Sequence, residues 1–336
     1  MPYTNLLNLS PATVVAVLMD DYSKGNATYS ITEILRPPQM GALTRRYAGV
    51  IVEDVADRMF ALYGQIGHEI LERAGKAPRE VWRRVYEAAG LPWTDKIPLP
   101  LAVEERFTFN VGTVTVTGKP DSLLLWPDLS EDGHVGLLLE DYKFTSVWQV
   151  VHGPSAEWVA QLNLYALGLR QTDERGPSEL RVQAHLRDWL VSRATYNATY
   201  PQKQVAIVPI PLWEPAEAQR FLEERVRLHV TADADLASFG PNMLAQCTSE
   251  ERWSAQPKWA VMRDGKTRAV RVFDNEVAAV AFTVGNASLH VEHRLGLPRR
   301  CQMYCPVGKA GLCPQWEAAK IELKSTLDNE ERSSVE

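Results

Sequence analysis

Two aspartates and a lysine carry the first chemistry in this chain. Residues Gly118-Lys119-Pro120-Asp121-Ser122-Leu123-Leu124-Leu125 and Leu137-Leu138-Leu139-Glu140-Asp141-Tyr142-Lys143 contain two apolar runs of strand length. Pro127, Asp128, Ser130, Asp132 and Gly133 separate them, so the segment reads as a β-hairpin with a long connection. Side chains of a strand alternate faces, which puts Asp141 and Lys143 on one side and Glu140 and Tyr142 on the other. Asp121 opens the partner strand just after a glycine and a proline, where the backbone is constrained and an ion can come close. Facing carboxylates repel unless a cation lies between them, and hard oxygen ligands favour Mg²⁺ or Mn²⁺. A neighbouring lysine suits an anionic substrate, of which phosphate is the obvious candidate.

Helical patterns flank this hairpin. Downstream, apolar residues at 158, 159, 162, 164, 166, 167 and 169 predict a mostly buried helix, with Gln161 and Tyr165 one turn apart on one face. Upstream, apolar positions 55, 59, 60, 62, 63, 66, 70 and 71 predict a helix from about Glu53 to Ala74 that brings His68 toward the core. Ser30-Ile31-Thr32-Glu33 is a capping-box pattern before a short helix, which Arg36-Pro37-Pro38 ends. Glu105 to Asn110, Thr113 to Thr117, Leu180 to Leu190 and Gln204 to Leu212 read as strands, and Glu214 to Val230 as an amphipathic helix. These elements fit an α/β fold with a mixed central sheet flanked by helices.

The hairpin resembles the PD-(D/E)XK nuclease superfamily, in which such a hairpin carries an aspartate and a D/E-x-K triplet, here Pro120-Asp121 and Asp141-Tyr142-Lys143. The Gln161 to Tyr165 segment resembles the Gln-x-x-x-Tyr helix of the RecB-type branch, and Gly64 to His68 resembles its Gly-x-x-x-His element. The order of these motifs is also RecB-like, and the resemblance covers roughly Ser30 to Trp189. It implies a restriction-endonuclease-like core and hydrolysis of phosphodiester bonds in DNA. Asp121, Asp141 and Lys143 would be catalytic; His68, Asp121, Asp141 and the Tyr142 carbonyl would hold one or two Mg²⁺ or Mn²⁺ ions; Gln161 would contact substrate or the lysine, with Tyr165 in support.

All four cysteines, Cys247, Cys301, Cys305 and Cys313, lie in the last third of the chain. A cytoplasmic setting disfavours a disulfide framework, so the cluster reads as metal ligands, and Pro306, Gly308, Gly311 and Pro314 would let a loop wrap an ion. Four thiolates suit either a [4Fe-4S] cluster or structural zinc; the absence of paired C-x₂-C knuckles favours the cluster. One distant cysteine plus a C-terminal trio is also similar to the ligand arrangement of iron-sulfur relatives of this superfamily, including AddB and the CRISPR adaptation nucleases. Here the distant cysteine, Cys247, follows the nuclease motifs instead of preceding them. Ala269 to Arg294 is expected to form a helix after a short strand. The resulting domain expectation is a nuclease core with an N-terminal helical part over 1–235, a cysteine-bearing region over 236–321 that packs on the core, and a flexible tail over 322–336.

The 336 residues, 45% hydrophobic, are enough for one large domain or a core with an appendage. No apolar run reaches the roughly eighteen residues of a membrane span, and no signal-peptide pattern opens the chain, so the expected location is the cytoplasm, away from membrane. A net charge of -6 argues against coating nucleic acid by bulk charge, though not against a metal-filled cleft. The expectation is therefore a stand-alone deoxyribonuclease of a phage or bacterium, most simply an exonuclease, in recombination, repair or phage DNA processing. Its partners would be DNA ends and a recombination or replication protein. The rival expectations are a DNA-binding or adaptor protein that keeps the fold without the chemistry, and a metal-dependent nucleotide phosphohydrolase.

Overall fold

The computed structural model describes residues 2–19, 23–88, 90, 93, 102–127, 135–172, 176–321 and 323. The hairpin connection at Asp128, Ser130, Asp132 and Gly133 lies outside them, as does the expected tail apart from Leu323. The chain divides into two units, one formed by residues 3–35 and 53–228, the other by the N-terminal residues before 3, by 36–52 and by the residues from 229 onward.

In the first unit, helix α1 (Met59–Gly75) leads to strands β1 (Phe107–Val111), β2 (Val114–Gly118), β3 (Ser122–Pro127) and β4 (Val135–Thr145). Helix α2 (Ala156–Thr172), strands β5 (Glu179–Leu186) and β6 (Val205–Ile210), and helix α3 (Pro215–Phe239) follow. A five-stranded sheet runs β6-β5-β4-β3 and ends on the short strand Ala102–Val103. It is mixed, as expected: β3 and β4 pair antiparallel with Ser122 opposite Glu140, β4 and β5 pair parallel, and β5 and β6 pair antiparallel. The parallel pair needs a crossover, and α2 supplies it. A second sheet joins Tyr29–Ser30 to β2 and β1. The predicted capping box is present: the Glu33 amide donates to Ser30 Oγ at 3.2 Å, and the Ser30 amide donates to Glu33 Oε2 at 2.9 Å.

β4 is a central strand, and a central strand must be apolar on both faces unless its polar groups are paired. Leu138 and Leu139 are fully buried. Glu140 stands opposite Arg181 in the parallel register and forms an ion pair with it. α2 is buried on nearly every side, including Trp158, Leu162, Tyr165, Ala166 and Leu169, which is why it shows no single apolar stripe. Its buried Asn163 is fully used: Nδ2 donates to the Val159 and Pro211 carbonyls, and Oδ1 accepts from the Trp213 amide at 2.7 Å.

α1 differs from its expectation. None of its residues is fully buried, and Phe60, Tyr63, Ile66 and Ile70 remain exposed. The helix meets β4 through bare backbone: a Cβ on Gly67 would lie 1.9 Å from Phe144 Cζ, and the Phe144 ring is stacked on His185 with centroids 4.6 Å apart. The absence of a side chain at Gly67, more than an apolar face, lets this helix approach the sheet beside His68.

The second unit begins with helix Pro38–Arg46 and includes the end of α3; the boundary expected at 235 falls inside that helix. Its core gathers Ala42, Leu43, Ile51, Ala232, Leu244, Val307 and Trp316, together with Cys301, Cys305 and Cys313. Arg45 pairs with Asp233 at 2.7 Å. Between Cys247 and Cys301 lies a small module of β7 (Lys258–Arg263), β8 (Arg271–Phe273), α4 (Glu276–Thr283) and β9 (Leu289–Arg294), whose strands pair antiparallel in the order β8-β7-β9. The helix after a short strand expected over 269–294 is present as β8 and α4, but the helix ends at Thr283 and the rest is corrected to a second strand, β9. Asn275 starts the helix by accepting from the Ala278 amide at 2.8 Å, and the Leu289-Val291-His293 alternation has the period of a strand.

Gly67→Ala should cost about 1–3 kcal/mol in urea unfolding, because Phe144 cannot yield without leaving its stack. Gly64→Ala, with nothing within 4 Å of its Cβ, should instead be stabilising by roughly 0.5–1 kcal/mol. Equal midpoints for the two variants would refute this account of the helix-sheet contact.

Candidate active site and metal centre

The β3-β4 ladder ends at Ser122 opposite Glu140, and Asp121 stands one residue beyond it. Its carboxylate takes over there, with Oδ2 accepting from the Tyr142 amide at 2.6 Å. The Asp121 carbonyl accepts from the Glu104 amide at 3.1 Å, which brings in the segment after Ala102–Val103. Asp121 Oδ1 is 3.4 Å from His68 Nδ1, and Glu104 Oε1 is 3.7 Å from the same nitrogen. His68, Glu104 and Asp121 each offer a ligand atom within 4.8 Å of the others. Lys119 Nζ holds the second Glu104 oxygen at 2.6 Å.

This acidic group shapes the charge of its members. Burial pulls the His68 imidazole down, but hydrogen bonds to Asp121 and Glu104, with the charges of Asp121 and Asp141, outweigh it and lift the group to about 10. Burial pushes the Glu104 carboxyl up, and its bonds to His68 and Lys119 more than reverse this, leaving it below the usual range. Glu104 has φ 54°, a left-handed conformation uncommon outside glycine, which the surrounding contacts must maintain.

Asp141 forms the other half of the site. It is buried, with Oδ2 in an ion pair with Lys143 and Oδ1 accepting from Gln161 Nε2 at 3.3 Å. Gln161 Nε2 also donates to the Tyr165 hydroxyl at 3.1 Å. Tyr165 packs edge-on to Phe107, so the chain from Lys143 to the core is continuous. Burial pushes Asp141 up to about 6 against the pull of Lys143. Burial draws Lys143 down, and the charges of Asp141 and Asp121 raise it further than burial lowers it.

The expected alternation along β4 is observed: Asp141 and Lys143 share one face, and the Tyr142 phenol turns away, interacting with Ser122 and Glu140. Tyr142 meets the site through its amide and through its ring, which lies edge-on to the His68 imidazole with centroids 6.4 Å apart. The tightest ligand group is His68, Glu104 and Asp121, with Asp141 drawn toward Lys143 and Gln161, so the ion expected between Asp121 and Asp141 has a better-furnished seat on the His68 side. Gln161 touches Asp141, the carboxylate that pairs with Lys143. Glu104 was not foreseen. The only trace in sequence is an acidic pair, Glu104-Glu105, before a strand.

The four cysteines, all free thiols, line one cavity with Gln39, Glu251, Arg252, Arg300 and Gln315. Cys247 Sγ donates to Gln39 Oε1 at 3.3 Å, while Gln315 brackets the Cys247 backbone by accepting from its amide at 3.0 Å and donating to its carbonyl at 2.9 Å. Amides of Val307 and Gly308 point at the Cys305 sulfur, and those of Gln315 and Trp316 at the Cys313 sulfur. Burial, then Glu251 and the other thiols, pushes Cys247 up to about 12; burial and Cys305 push Cys301 up to about 11. Among the described residues, the sulfurs do not make a second group within 4.8 Å of one another.

No family model matches this chain, and no curated protein matches it. Among solved structures it is similar to the one described as the crystal structure of SSO0001, with 14% identity and a TM-score of 0.39, over 64% of this chain and 84% of that one.

Proposed function

We propose that this protein is a metal-dependent deoxyribonuclease, most simply an exonuclease. The observation that carries the reading is the meeting of His68, Glu104 and Asp121 within 4.8 Å, beside an ion pair of buried Asp141 with half-buried Lys143 that Gln161 anchors. The donor set of one imidazole and two carboxylates fits Mg²⁺ or Mn²⁺, held by His68, Glu104 and Asp121 with Asp141 at hand. Such an ion supplies Lewis acidity at a phosphoryl oxygen and a water of lowered pKa. Lys143 offers an ammonium to the phosphate and to the charge that grows on it in the transition state. Asp141 fixes that ammonium, and Gln161 and Tyr165 fix Asp141. Tyr142 contributes its main chain, orienting Asp121.

For the cavity lined by Cys247, Cys301, Cys305 and Cys313 we favour an iron-sulfur cluster, with structural zinc as the alternative. Backbone amides directed at two sulfurs, and Arg252 and Arg300 beside them, are groups that stabilise cluster thiolates. We place the activity in DNA recombination, repair or phage DNA processing, in a cytoplasm. No helix among the described residues is long and apolar enough to cross a membrane.

End-labelled single- and double-stranded linear DNA, beside a closed circle, should be degraded with Mn²⁺ or Mg²⁺ and not with EDTA. Asp121→Ala, Glu104→Ala and Lys143→Ala should each lose about 10²-fold or more in rate, the scale of a lost electrostatic contact at the transition state, while Tyr142→Phe stays close to wild type. Sparing of the circle would make the enzyme an exonuclease. A wild-type rate in Asp121→Ala would end the reading, and cleavage of mononucleotides alone would transfer it to a phosphohydrolase.

Protein purified without oxygen should contain iron. Cys305→Ser should lose that iron and melt at a lower temperature, since metal binding contributes to the folding of its site. Wild-type protein that binds zinc alone, or neither metal, would refute the cluster.

A further inference from the structure

The module between Cys247 and Cys301 is charged unlike the rest of the chain. Residues 258–300 carry eight lysines and arginines against four aspartates and glutamates, in a protein of net charge -6. Half of those cations, Arg263, Lys266, Arg268 and Arg271, fall within nine residues at the β7-β8 hairpin, and all four are exposed. The tip is a tight turn: the Lys266 amide donates to the Arg263 carbonyl at 2.9 Å, and Gly265 at φ 69° takes the position that a side chain would strain. Arg263 and Lys266 therefore stand on its two shoulders.

The local counter-charge is already engaged. Asp264, the one acid of the hairpin, is 3.0 Å from His290 of β9. Arg271 lies over the rings of Phe273 and Phe282, 5.0 and 5.7 Å from their centroids. Arg263, Lys266 and Arg268 have no carboxylate partner among the described residues. Three unpaired cations on one turn repel one another, and a polyanion relieves that repulsion. The hairpin carries no aromatic residue at its tip and no carboxylate aimed at a base, so it suits a repeating phosphate backbone and not a particular sequence.

We propose that the β7-β8 hairpin is a DNA-binding element that holds the phosphate backbone through Arg263, Lys266 and Arg268, with Arg271 at its base. The choice of DNA over other polyanions rests on the nuclease reading above. The hairpin is a binding surface that neither the metal group nor the thiol cavity includes.

The test is binding of the full-length protein, in EDTA, to labelled single-stranded and duplex oligonucleotides by fluorescence anisotropy over a salt series. The triple variant Arg263→Gln/Lys266→Gln/Arg268→Gln should bind duplex about tenfold or more weakly at low salt, with a slope of log affinity against log salt shallower by about 2 to 3, near 0.9 for each lost phosphate contact. Its melting temperature should be unchanged, because these side chains bury nothing. Arg268→Glu alone should show a smaller loss in the same direction, and Lys203→Gln none. A triple variant that binds within twofold of wild type at every salt overturns the proposal. So does wild-type protein that binds polyglutamate or anionic vesicles and not DNA. Because EDTA removes cleavage from the measurement, the two readings fail separately. Unaltered binding in the variant with metal-dependent cleavage by wild type removes only the hairpin; hairpin-dependent binding without cleavage in Mn²⁺ removes only the nuclease.

Discussion

The hydrogen bond from the Tyr142 amide to Asp121 Oδ2 is the constraint on which the site depends. It extends the β3-β4 pairing one step past its last backbone register and so fixes the Asp121 carboxylate, leaving Oδ1 to face His68. The Asp121 carbonyl anchors Glu104 in turn. Three stretches far apart in sequence are thereby brought to one carboxylate, and the charges follow. Glu104, Asp121 and Asp141 would repel one another, and His68, Lys119 and Lys143 stand beside them as counter-charges. The carboxylates that lift His68 to about 10 favour a proton on its imidazole, and a divalent cation bound at that nitrogen would have to displace it, so proton and metal compete for His68.

What could be read from sequence is what has a short period. The leucine runs of β3 and β4, the alternation that pairs Asp141 with Lys143, the i to i+4 contact of Gln161 and Tyr165, and the Ser30-Glu33 capping box are all local patterns, and each is present. Glu104 left no such mark, because its role depends on a two-residue strand and a left-handed backbone that only the surrounding fold sustains. For α1 the helix was legible and its environment was not: periodicity cannot tell a helix that buries its apolar face from one that approaches a sheet through a glycine. Residues 269–294 misled for a related reason, since a run rich in alanine and valine satisfies helix and strand templates alike until Asn275 and the alternation from Leu289 divide it. The grouping of residues 36–52 with those from 229 onward is a long-range association that no local pattern encodes.

The position of Cys247, after the β3-β4 hairpin and α2 in sequence, becomes easier to understand once the module is seen. Residues 258–294 form their own sheet and helix, so the chain can leave after Cys247 and return at Cys301 without drawing the module's residues into the thiol cavity. A compact insertion adds little loop-closure cost, which grows only slowly with length. The trio Cys301, Cys305 and Cys313 is local, and Gln315 ties the distant fourth to it through both bonds to the Cys247 backbone.

The pair of buried Asp141 and half-buried Lys143 is hard to explain as a stabilising device. Removing the Asp141 carboxylate from water costs several kcal/mol, and a well-packed apolar residue in its place would often leave a fold as stable or more so. The pair also needs Gln161 to satisfy the carboxylate, and Gln161 needs Tyr165, so four positions on β4 and α2 serve one ammonium group. A core selected for stability alone would not keep such an arrangement between Leu139 and the apolar residues of α2. Its retention at the end of the strand where Asp121 meets His68 and Glu104 is intelligible if Lys143 is held for an anion that arrives from outside the protein.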